Sequence, residues 1–328
     1  MPLRVCIFGA GAIGGWLAGR LAEAGEHVSV VARGAHLAAI RAHGIIVEDP
    51  QRRVASQVTA SDDPSELGEQ DVVLVTVKAP ALPAIAASIA PLLGRDTRVA
   101  FLTNGIPWWY FHGHGGALDG RRLPLLDPDD ALWRAVGART VGGIAWPASS
   151  IPEPGVIRLI SVPSRGLLLG MPDGSLPADV ARLADTLTAS GVETTVSPQI
   201  RDPIWEKLAF NLSAGPMCVL TGAPVRATHV EPALVATSRR VLAEATALIA
   251  AMGRDVTLDV ERIVAINTTL GHRPSILQDL QAGRPMEIDA LYGVPLEMAD
   301  MLGVAMPTLA MLAGLIRVRA REAGLYHA

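Results

Sequence analysis

Cysteine, charge and long apolar runs are all scarce in this chain of 328 residues. Its two cysteines, Cys6 and Cys218, lie far apart in apolar neighbourhoods, which predicts buried free thiols and suits a reducing cytoplasm. Only 18% of the residues are charged, the net charge is −4 and no dense Lys/Arg cluster occurs, which argues against nucleic-acid binding. No apolar run approaches the roughly 18 residues that span a bilayer. Residues 1–9 lack the pattern of a secretory signal. We therefore expect a soluble cytoplasmic protein.

Half of the residues are hydrophobic, which is enough for a sizeable core, and the length suggests two domains. In the N-terminal part, short apolar strands alternate with helical stretches, as at 3–8, 12–24 and 71–77. This alternation predicts a doubly wound α/β sheet with parallel strands. From Asp202 onward helical periodicity dominates. We expect a Rossmann-type domain over residues 1–199 and an all-helical domain over residues 200–328.

The middle of the chain carries weaker patterns. Residues 81–93 are predicted to be helical, and residues 104–134 are predicted to form a long irregular loop because Gly, Pro, Asp and aromatic residues dominate there. Further strands are expected to extend or complete the main sheet, at 140–146, 156–161, 166–169 and 192–196.

A glycine-rich turn follows the first strand directly and opens the first helix. It has the spacing Gly-x-Gly-x-x-Gly, and its members are Gly9, Ala10, Gly11, Ala12, Ile13 and Gly14. In this context Gly9 permits the tight turn, Gly11 lets backbone amides approach a pyrophosphate, and Gly14 lets the helix pack closely on the strand. The helix N-terminus adds unpaired N–H donors. The turn is therefore predicted to bind a dinucleotide; the alternative is an ordinary tight turn.

The end of the second strand bears on the choice of cofactor. Sites that prefer NAD place an acidic residue there to hold the ribose hydroxyls, whereas this chain has Arg33. A guanidinium can bind a 2′-phosphate through two hydrogen bonds, so NADPH is favoured over NADH. The same arginine argues against a methyltransferase, and its alternative role is that of a solvated surface cation.

Several motifs together resemble those of the ketopantoate reductase family, in order from Gly9 to Glu287. They are Thr76-Val77-Lys78, Asn104-Gly105, Trp205-Glu206-Lys207-Leu208-Ala209-Phe210-Asn211, Ser275-Ile276-Leu277-Gln278-Asp279, Gly283-Arg284 and Glu287-Ile288-Asp289. The resemblance implies a fold like that of 6-phosphogluconate dehydrogenases. It also implies NADPH-dependent reduction of a small 2-keto acid, 2-dehydropantoate, to pantoate in pantothenate biosynthesis.

The resemblance also implies roles for four residues in the second half of the chain. Lys207 is the general acid that protonates the carbonyl oxygen, and its apolar neighbours on the helix should lower its pKa. Asn211 lies four residues on and binds the substrate, Ser275 binds the substrate carboxylate, and Glu287 contacts both substrate and cofactor. The alternatives are a surface lysine for Lys207 and an exposed helix residue for Glu287. Ser275 by itself is predicted to be a helix N-cap, a role that is compatible with binding the carboxylate.

Three further positions complete the expected site. Asn104 follows a strand at the carboxyl edge of the sheet, where open α/β sheets bind ligands, and is expected to contact substrate and cofactor. Lys78 follows the preceding strand and is expected to bind the cofactor. Ala148 aligns weakly with a cofactor contact of the family.

Two features depart from the family pattern and put the substrate, rather than the reaction, in question. Better-known members carry a second asparagine where this chain has Gly215, so a hydrogen bond that orients the substrate is missing. The aromatic run Trp108-Trp109-Tyr110-Phe111 either lines a more apolar pocket or anchors a long loop. His112 and His114 have no further ligand cluster, so no metal site is expected.

These departures leave alternative functions open. One is reduction of another keto acid, more apolar than ketopantoate, or of an imine. Another is an NADPH-binding sensor without catalysis, which the presence of Lys207 and Glu287 disfavours. The apolar C-terminal helices are compatible with a homodimer.

Overall fold

The computed structural model describes residues 2–161 and 166–326. Contacts between residues divide the chain into two compact units. The first comprises Met1–Thr103 and Pro107–Ile200, and the second comprises Asn104–Ile106 and Arg201–Ala328. Within the described ranges, no helix has both the length and the apolar character needed to cross a bilayer.

The first unit is built from strands and helices that alternate along the chain. Its strands are β1 Arg4–Phe8, β2 His27–Val31, β3 Ile45–Glu48, β4 Arg53–Ser56, β5 Thr59–Ser61, β6 Gln70–Val75, β7 Leu93–Phe101, β8 Thr140–Ala145, β9 Ala148–Glu153, β10 Val156–Ser161, β11 Leu167–Gly170 and β12 Thr194–Val196. Its α-helices are α1 Ala12–Glu23, α2 Gly34–His43, α3 Leu82–Ala86, α4 Ala131–Val136 and α5 Ala178–Ala189.

The main sheet has the strand order β12-β11-β8-β7-β6-β1-β2-β5. Strands β5, β2, β1, β6, β7 and β8 run parallel, and β8 pairs with β11 in the antiparallel direction. The central strands are buried almost completely, as expected for apolar runs in a parallel sheet with both faces covered. The expected doubly wound, Rossmann-type architecture is confirmed.

A second sheet, with the order β4-β3-β10-β9, packs against α1. Two glycines of α1 allow this close approach: a Cβ at Gly15 would lie 2.6 Å from Ile157 Cδ1, and one at Gly19 would overlap the Val47 side chain. The prediction that strand 156–161 extends the main sheet is therefore wrong, since β10 belongs to this second sheet.

The long loop after β7 is mostly irregular, as expected, but its aromatic residues are buried. Trp108, Trp109, Tyr110 and Phe111 are each at most 1% exposed. Trp109 lies directly over Gly142 of β8, where a Cβ would overlap the indole ring. His112 stacks on Trp133 of α4, with ring centroids 3.9 Å apart. The structure thus supports the second interpretation of the aromatic run, as an anchor that holds the loop on the sheet.

The second unit is helical, as expected. Its elements are α6 Arg201–Thr221, α7 Val225–Thr228, α8 Pro232–Ala251, α9 Val260–Thr269, α10 Ser275–Gln281, a π-helical turn over Asp289–Gly293, α11 Val294–Leu302 and α12 Pro307–Glu322. Helix α6 is central and packs against α8, α9, α10 and α12. Its core positions include the fully buried Trp205, Leu208 and Leu212.

Two local predictions were wrong or incomplete. The expected helix over 81–93 is restricted to α3, followed by a single 3-10 turn over Ala90–Leu92. Pro91 explains the break, because proline has no N–H to donate within a helix. The short strands β4, β5 and β9 escaped prediction because their sequences are polar or charged and lack an apolar run.

The contact between Trp109 and Gly142 yields a prediction for stability. Gly142→Ala should lower the free energy of unfolding by about 1–3 kcal/mol, because the new methyl group overlaps a packed indole. Thermal unfolding followed by circular dichroism measures the effect. Gly314→Ala in α12 is the matched control, since a Cβ there meets nothing within 4 Å. An unchanged melting temperature for Gly142→Ala would show that the ring is not packed on the strand.

Candidate active site

The glycine-rich turn joins β1 to α1 in the geometry that its sequence predicts. Gly9 has φ +104°, a conformation that favours glycine, and its N–H donates to the Val31 carbonyl at 3.1 Å. The Thr76 hydroxyl donates to the Gly9 carbonyl at 2.6 Å. A Cβ at Gly14 would overlap that same carbonyl oxygen. The turn is therefore held from both neighbouring strands and leaves no room for a side chain at Gly14.

The turn has the open space that a phosphate group needs. A Cβ at Gly11 would meet nothing within 4 Å, and Gly11 is the N-cap of α1 without any side chain to satisfy the first N–H groups of the helix. Such N–H groups at a helix N-terminus bind anions well. The residues of this turn thus fit the pyrophosphate of a dinucleotide.

His36 holds the turn from helix α2. Its Nδ1 accepts a hydrogen bond from the Gly155 N–H at 2.9 Å, and its Nε2 lies 2.6 Å from the Ala10 carbonyl. Because Nδ1 accepts, the proton of the neutral ring must be on Nε2, which donates to Ala10. Sequence analysis missed this residue, since only the fold brings α2, the turn and the β9–β10 hairpin together.

The other expected cofactor residues also lie in the first unit. Arg33 is exposed at the N-cap of α2 and makes no ion pair with any described residue. Lys78 is half-buried in the turn that follows β6. Ala148 is exposed at the start of β9, a strand of the second sheet that contacts α1.

In the second unit, three expected site residues form a hydrogen-bonded chain. The Lys207 ammonium donates to Asn104 Oδ1 at 2.9 Å, and Asn104 Nδ2 donates to Glu287 Oε2 at 3.2 Å. The chemistry of the partners fixes the orientation of the amide, since an ammonium only donates and a carboxylate only accepts. Glu287 is 4% exposed, so it is not the exposed helix residue of the alternative interpretation.

Burial sets the protonation of Lys207. Part of its surface stays accessible, but desolvation on α6 lowers its pKa from 10.5 to about 8, while the negative charge of Glu287 opposes this shift. A lysine with this pKa is mostly protonated at neutral pH and gives up its proton far more readily than an exposed lysine. These are the properties of a general acid.

The backbone holds Asn104 within the second unit. Gly105 has φ +81°, and a Cβ there would overlap the Ala290 carbonyl oxygen. The Ile106 N–H donates to that same carbonyl at 2.9 Å. Ala290 belongs to the π-helical turn that begins two residues after Glu287, so one short segment fixes both the amide and the carboxylate. Turns of this type are frequent at functional sites.

The two remaining residues that are expected to bind the substrate lie on α6 and α10. Asn211 is half-buried, four residues after Lys207 and on the same side of α6. Ser275 is exposed and is the first residue of α10, while Pro274 occupies the N-cap position and no side-chain cap is formed. The N-cap interpretation of Ser275 is therefore wrong, which leaves its hydroxyl available for another partner.

One signal in the sequence was overlooked. The chain contains two lysines, Lys78 and Lys207, against 26 arginines. Arginine stays protonated in proteins, whereas lysine can titrate when it is desolvated. Lysine is thus confined to two positions that the family resemblance independently assigns to the site.

Two family models match the chain. One, described as ketopantoate reductase PanE/ApbA, matches residues 5–108, and the other, described as ketopantoate reductase PanE/ApbA C terminal, matches residues 199–320. A 2-dehydropantoate 2-reductase of Mesorhizobium japonicum is 41% identical, with 99% of this chain and 100% of that protein covered.

Solved structures agree with this similarity. One from Ralstonia solanacearum MolK2, provisionally designated a ketopantoate reductase, has a TM-score of 0.93 at 39% identity and covers 99% of this chain and 100% of that chain. A PanE/ApbA family ketopantoate reductase from Ralstonia eutropha JMP134 has a TM-score of 0.84 at 28% identity, with coverage of 98% and 99%. From the matched models, the relative and the fold, we conclude that this chain belongs to the ketopantoate reductase family.

Proposed function

We propose that this protein reduces 2-dehydropantoate to pantoate with NADPH. The observation that carries the proposal is the chain of hydrogen bonds from Lys207 through Asn104 to Glu287, in which a desolvated ammonium with a lowered pKa donates to an amide oxygen. Relatives over the full length, such as the Mesorhizobium protein, are named for this reaction and support the choice of substrate.

The glycine-rich turn and Arg33 are the residues that would hold the cofactor. The uncapped N-terminus of α1 and the space beside Gly11 suit a pyrophosphate. Arg33, exposed and without an acidic partner among the described residues, suits a 2′-phosphate and favours NADPH. When bound, the reduced nicotinamide supplies the hydride.

Lys207 supplies the proton. As the carbonyl carbon is reduced, negative charge develops on the carbonyl oxygen, and the Lys207 ammonium stabilises this charge and then donates its proton there. Asn104 fixes the direction of the ammonium through its Oδ1 atom, and the Glu287 carboxylate keeps enough negative charge nearby for Lys207 to remain protonated at neutral pH.

Two hydrogen-bonding side chains of the second unit are assigned to the substrate. Asn211 offers an amide on the same side of α6 as Lys207, and Ser275 offers an exposed hydroxyl for the carboxylate. A 2-keto acid presents a carbonyl oxygen and a carboxylate to such groups, which makes the residue set better suited to this class than to an uncharged ketone.

A second candidate function is the reduction of a more apolar 2-keto acid. The sequence favours this function only if the aromatic run at 108–111 lines a substrate pocket. These side chains are buried in the first unit and anchor a loop, so they give this function no support. A non-catalytic sensor would have no need for the lowered pKa of Lys207.

Both cysteines are buried free thiols, which supports the cytoplasm as the compartment.

Arg33 provides the test of cofactor choice. We expect the wild type to bind NADPH at least about tenfold more tightly than NADH, and Arg33→Ala to remove most of this preference by weakening NADPH alone. Dissociation constants from cofactor fluorescence measure both effects. Arg95→Ala, which removes an exposed arginine at the start of β7, is the matched control. Equal weakening of both cofactors in Arg33→Ala would contradict the assignment.

Lys207 provides the test of the reaction. Lys207→Ala should lower kcat with NADPH and 2-dehydropantoate by about 10²–10⁴-fold, with little change in NADPH affinity. In the wild type the rate of reduction should fall as the pH rises through about 8, because the proton donor is lost, and this limb should vanish in the variant.

Lys207→Arg separates the two roles of the lysine. It retains the positive charge but keeps its proton at every accessible pH, so it should recover part of the lost rate without the alkaline limb. A Lys207→Ala enzyme with more than about a tenth of wild-type turnover would remove the lysine from the mechanism.

A further inference from the structure

The space beside Gly215 is filled by a tyrosine from another element. Gly215 lies on α6, four residues after Asn211 and eight after Lys207, where better-known family members carry an asparagine. A Cβ built on Gly215 would lie 2.5 Å from the Tyr292 hydroxyl oxygen and 3.7 Å from Ile276 Cγ2. Any side chain at position 215 would displace the phenol. Glycine and tyrosine therefore act as a matched pair, and a polar group still occupies the place of the missing amide.

The Tyr292 hydroxyl lowers the stability of the folded protein, because no residue that the structure describes offers it a hydrogen bond. Tyr292 is fully buried, and its hydroxyl has no hydrogen-bond partner among the described residues. An unsatisfied buried polar group destabilises the folded state, and phenylalanine would fill the same space without that penalty. Burial and the nearby Cys218 raise the pKa of the hydroxyl far above its usual value, so it stays neutral and can both donate and accept. An unpaired group of this kind calls for an explanation, and a ligand supplies one.

The position of Tyr292 in the fold connects it to the reacting groups. It lies in the π-helical turn Asp289–Gly293, which follows Glu287 after a single residue. Ala290 of the same turn accepts the hydrogen bond from Ile106 that fixes Asn104. The carboxylate, the amide and the phenol are thus linked through one short segment of backbone. The phenol points at the α6 position that continues the row of Lys207 and Asn211.

We propose that Tyr292 is a specificity-determining residue whose hydroxyl binds the alcohol group of the substrate in place of the asparagine that Gly215 replaces. The proposal rests on the function proposed above. The substrate class is a 2-keto acid with a hydroxyl two carbons from the keto carbon, as in 2-dehydropantoate. Tyr292 restores the orienting hydrogen bond from a different element, so loss of the asparagine does not imply a more apolar substrate.

Two substrates that differ by a single hydroxyl test this role. 2-Dehydropantoate and 3,3-dimethyl-2-oxobutanoate have the same carbon skeleton, and the second lacks the alcohol. Tyr292→Phe should lower kcat/KM for 2-dehydropantoate by roughly 10- to 100-fold and leave that for 3,3-dimethyl-2-oxobutanoate within about twofold. The double variant Gly215→Asn/Tyr292→Phe supplies an amide in the space that the phenol oxygen vacates and should recover much of the preference for 2-dehydropantoate.

The outcomes separate the two proposals. A wild type that reduces both substrates, with the same preference before and after Tyr292→Phe, would overturn the role of Tyr292 and leave the proposed function standing. A wild type that reduces neither would overturn the proposed function and this proposal with it. If the hydroxyl has only a packing role, Tyr292→Phe should have an equal or higher melting temperature and an unchanged substrate preference. If the hydroxyl binds the substrate alcohol, the preference for 2-dehydropantoate over 3,3-dimethyl-2-oxobutanoate should be largely lost in the variant.

Discussion

The removal of one lysine ammonium from water is the constraint on which the site depends. Helix α6 surrounds Lys207 with buried apolar residues, and desolvation lowers its pKa to about 8. Without compensation, burial would favour a neutral amine that has no proton to give. The hydrogen bond to Asn104 and the charge of Glu287 oppose this loss, so the group remains charged and still acidic enough to act.

To keep Lys207 charged, Asn104 and Glu287 must be held close to its ammonium group. The backbone around Asn104 is arranged accordingly. The segment Asn104–Ile106 belongs with the helical unit although both its sequence neighbours belong to the first. Gly105 allows it to lie against Ala290, and the π-helical turn that carries Ala290 also orders Glu287 and Tyr292. A small displacement of this turn would disturb both the proposed proton donor and the proposed substrate contact.

The sequence predicted the architecture well because its signals are local. Strand and helix periodicity, the glycine turn at Gly9–Gly14 and the change of character after residue 200 are all visible within short windows. Family motifs placed Lys207, Asn104 and Glu287 in one site, and the structure joins these three by hydrogen bonds. The sequence could not show that β10 joins a second sheet, because pairing of strands distant in sequence has no local signal.

The same limit applies to particular side chains. His36 contacts the glycine turn only after α2 folds back on it, and Tyr292 reaches Gly215 across 77 positions of the chain. The sequence marks Gly215 as a departure from the expected pattern, but the consequence of that departure depends on which residue fills the space. The aromatic run was ambiguous for the same reason, since the choice between a pocket wall and an anchor depends on Gly142, in a distant strand.

Direct titration of Lys207 tests the central claim. Because the chain has two lysines, protein labelled with ¹³C at lysine Cε gives two lysine signals, and Lys78→Arg assigns them. We predict a midpoint of about 8 for Lys207, and a lower midpoint in Glu287→Gln, where the charge that raises the pKa is gone. A midpoint near the ordinary value of 10.5, unaffected by Glu287→Gln, would contradict the account.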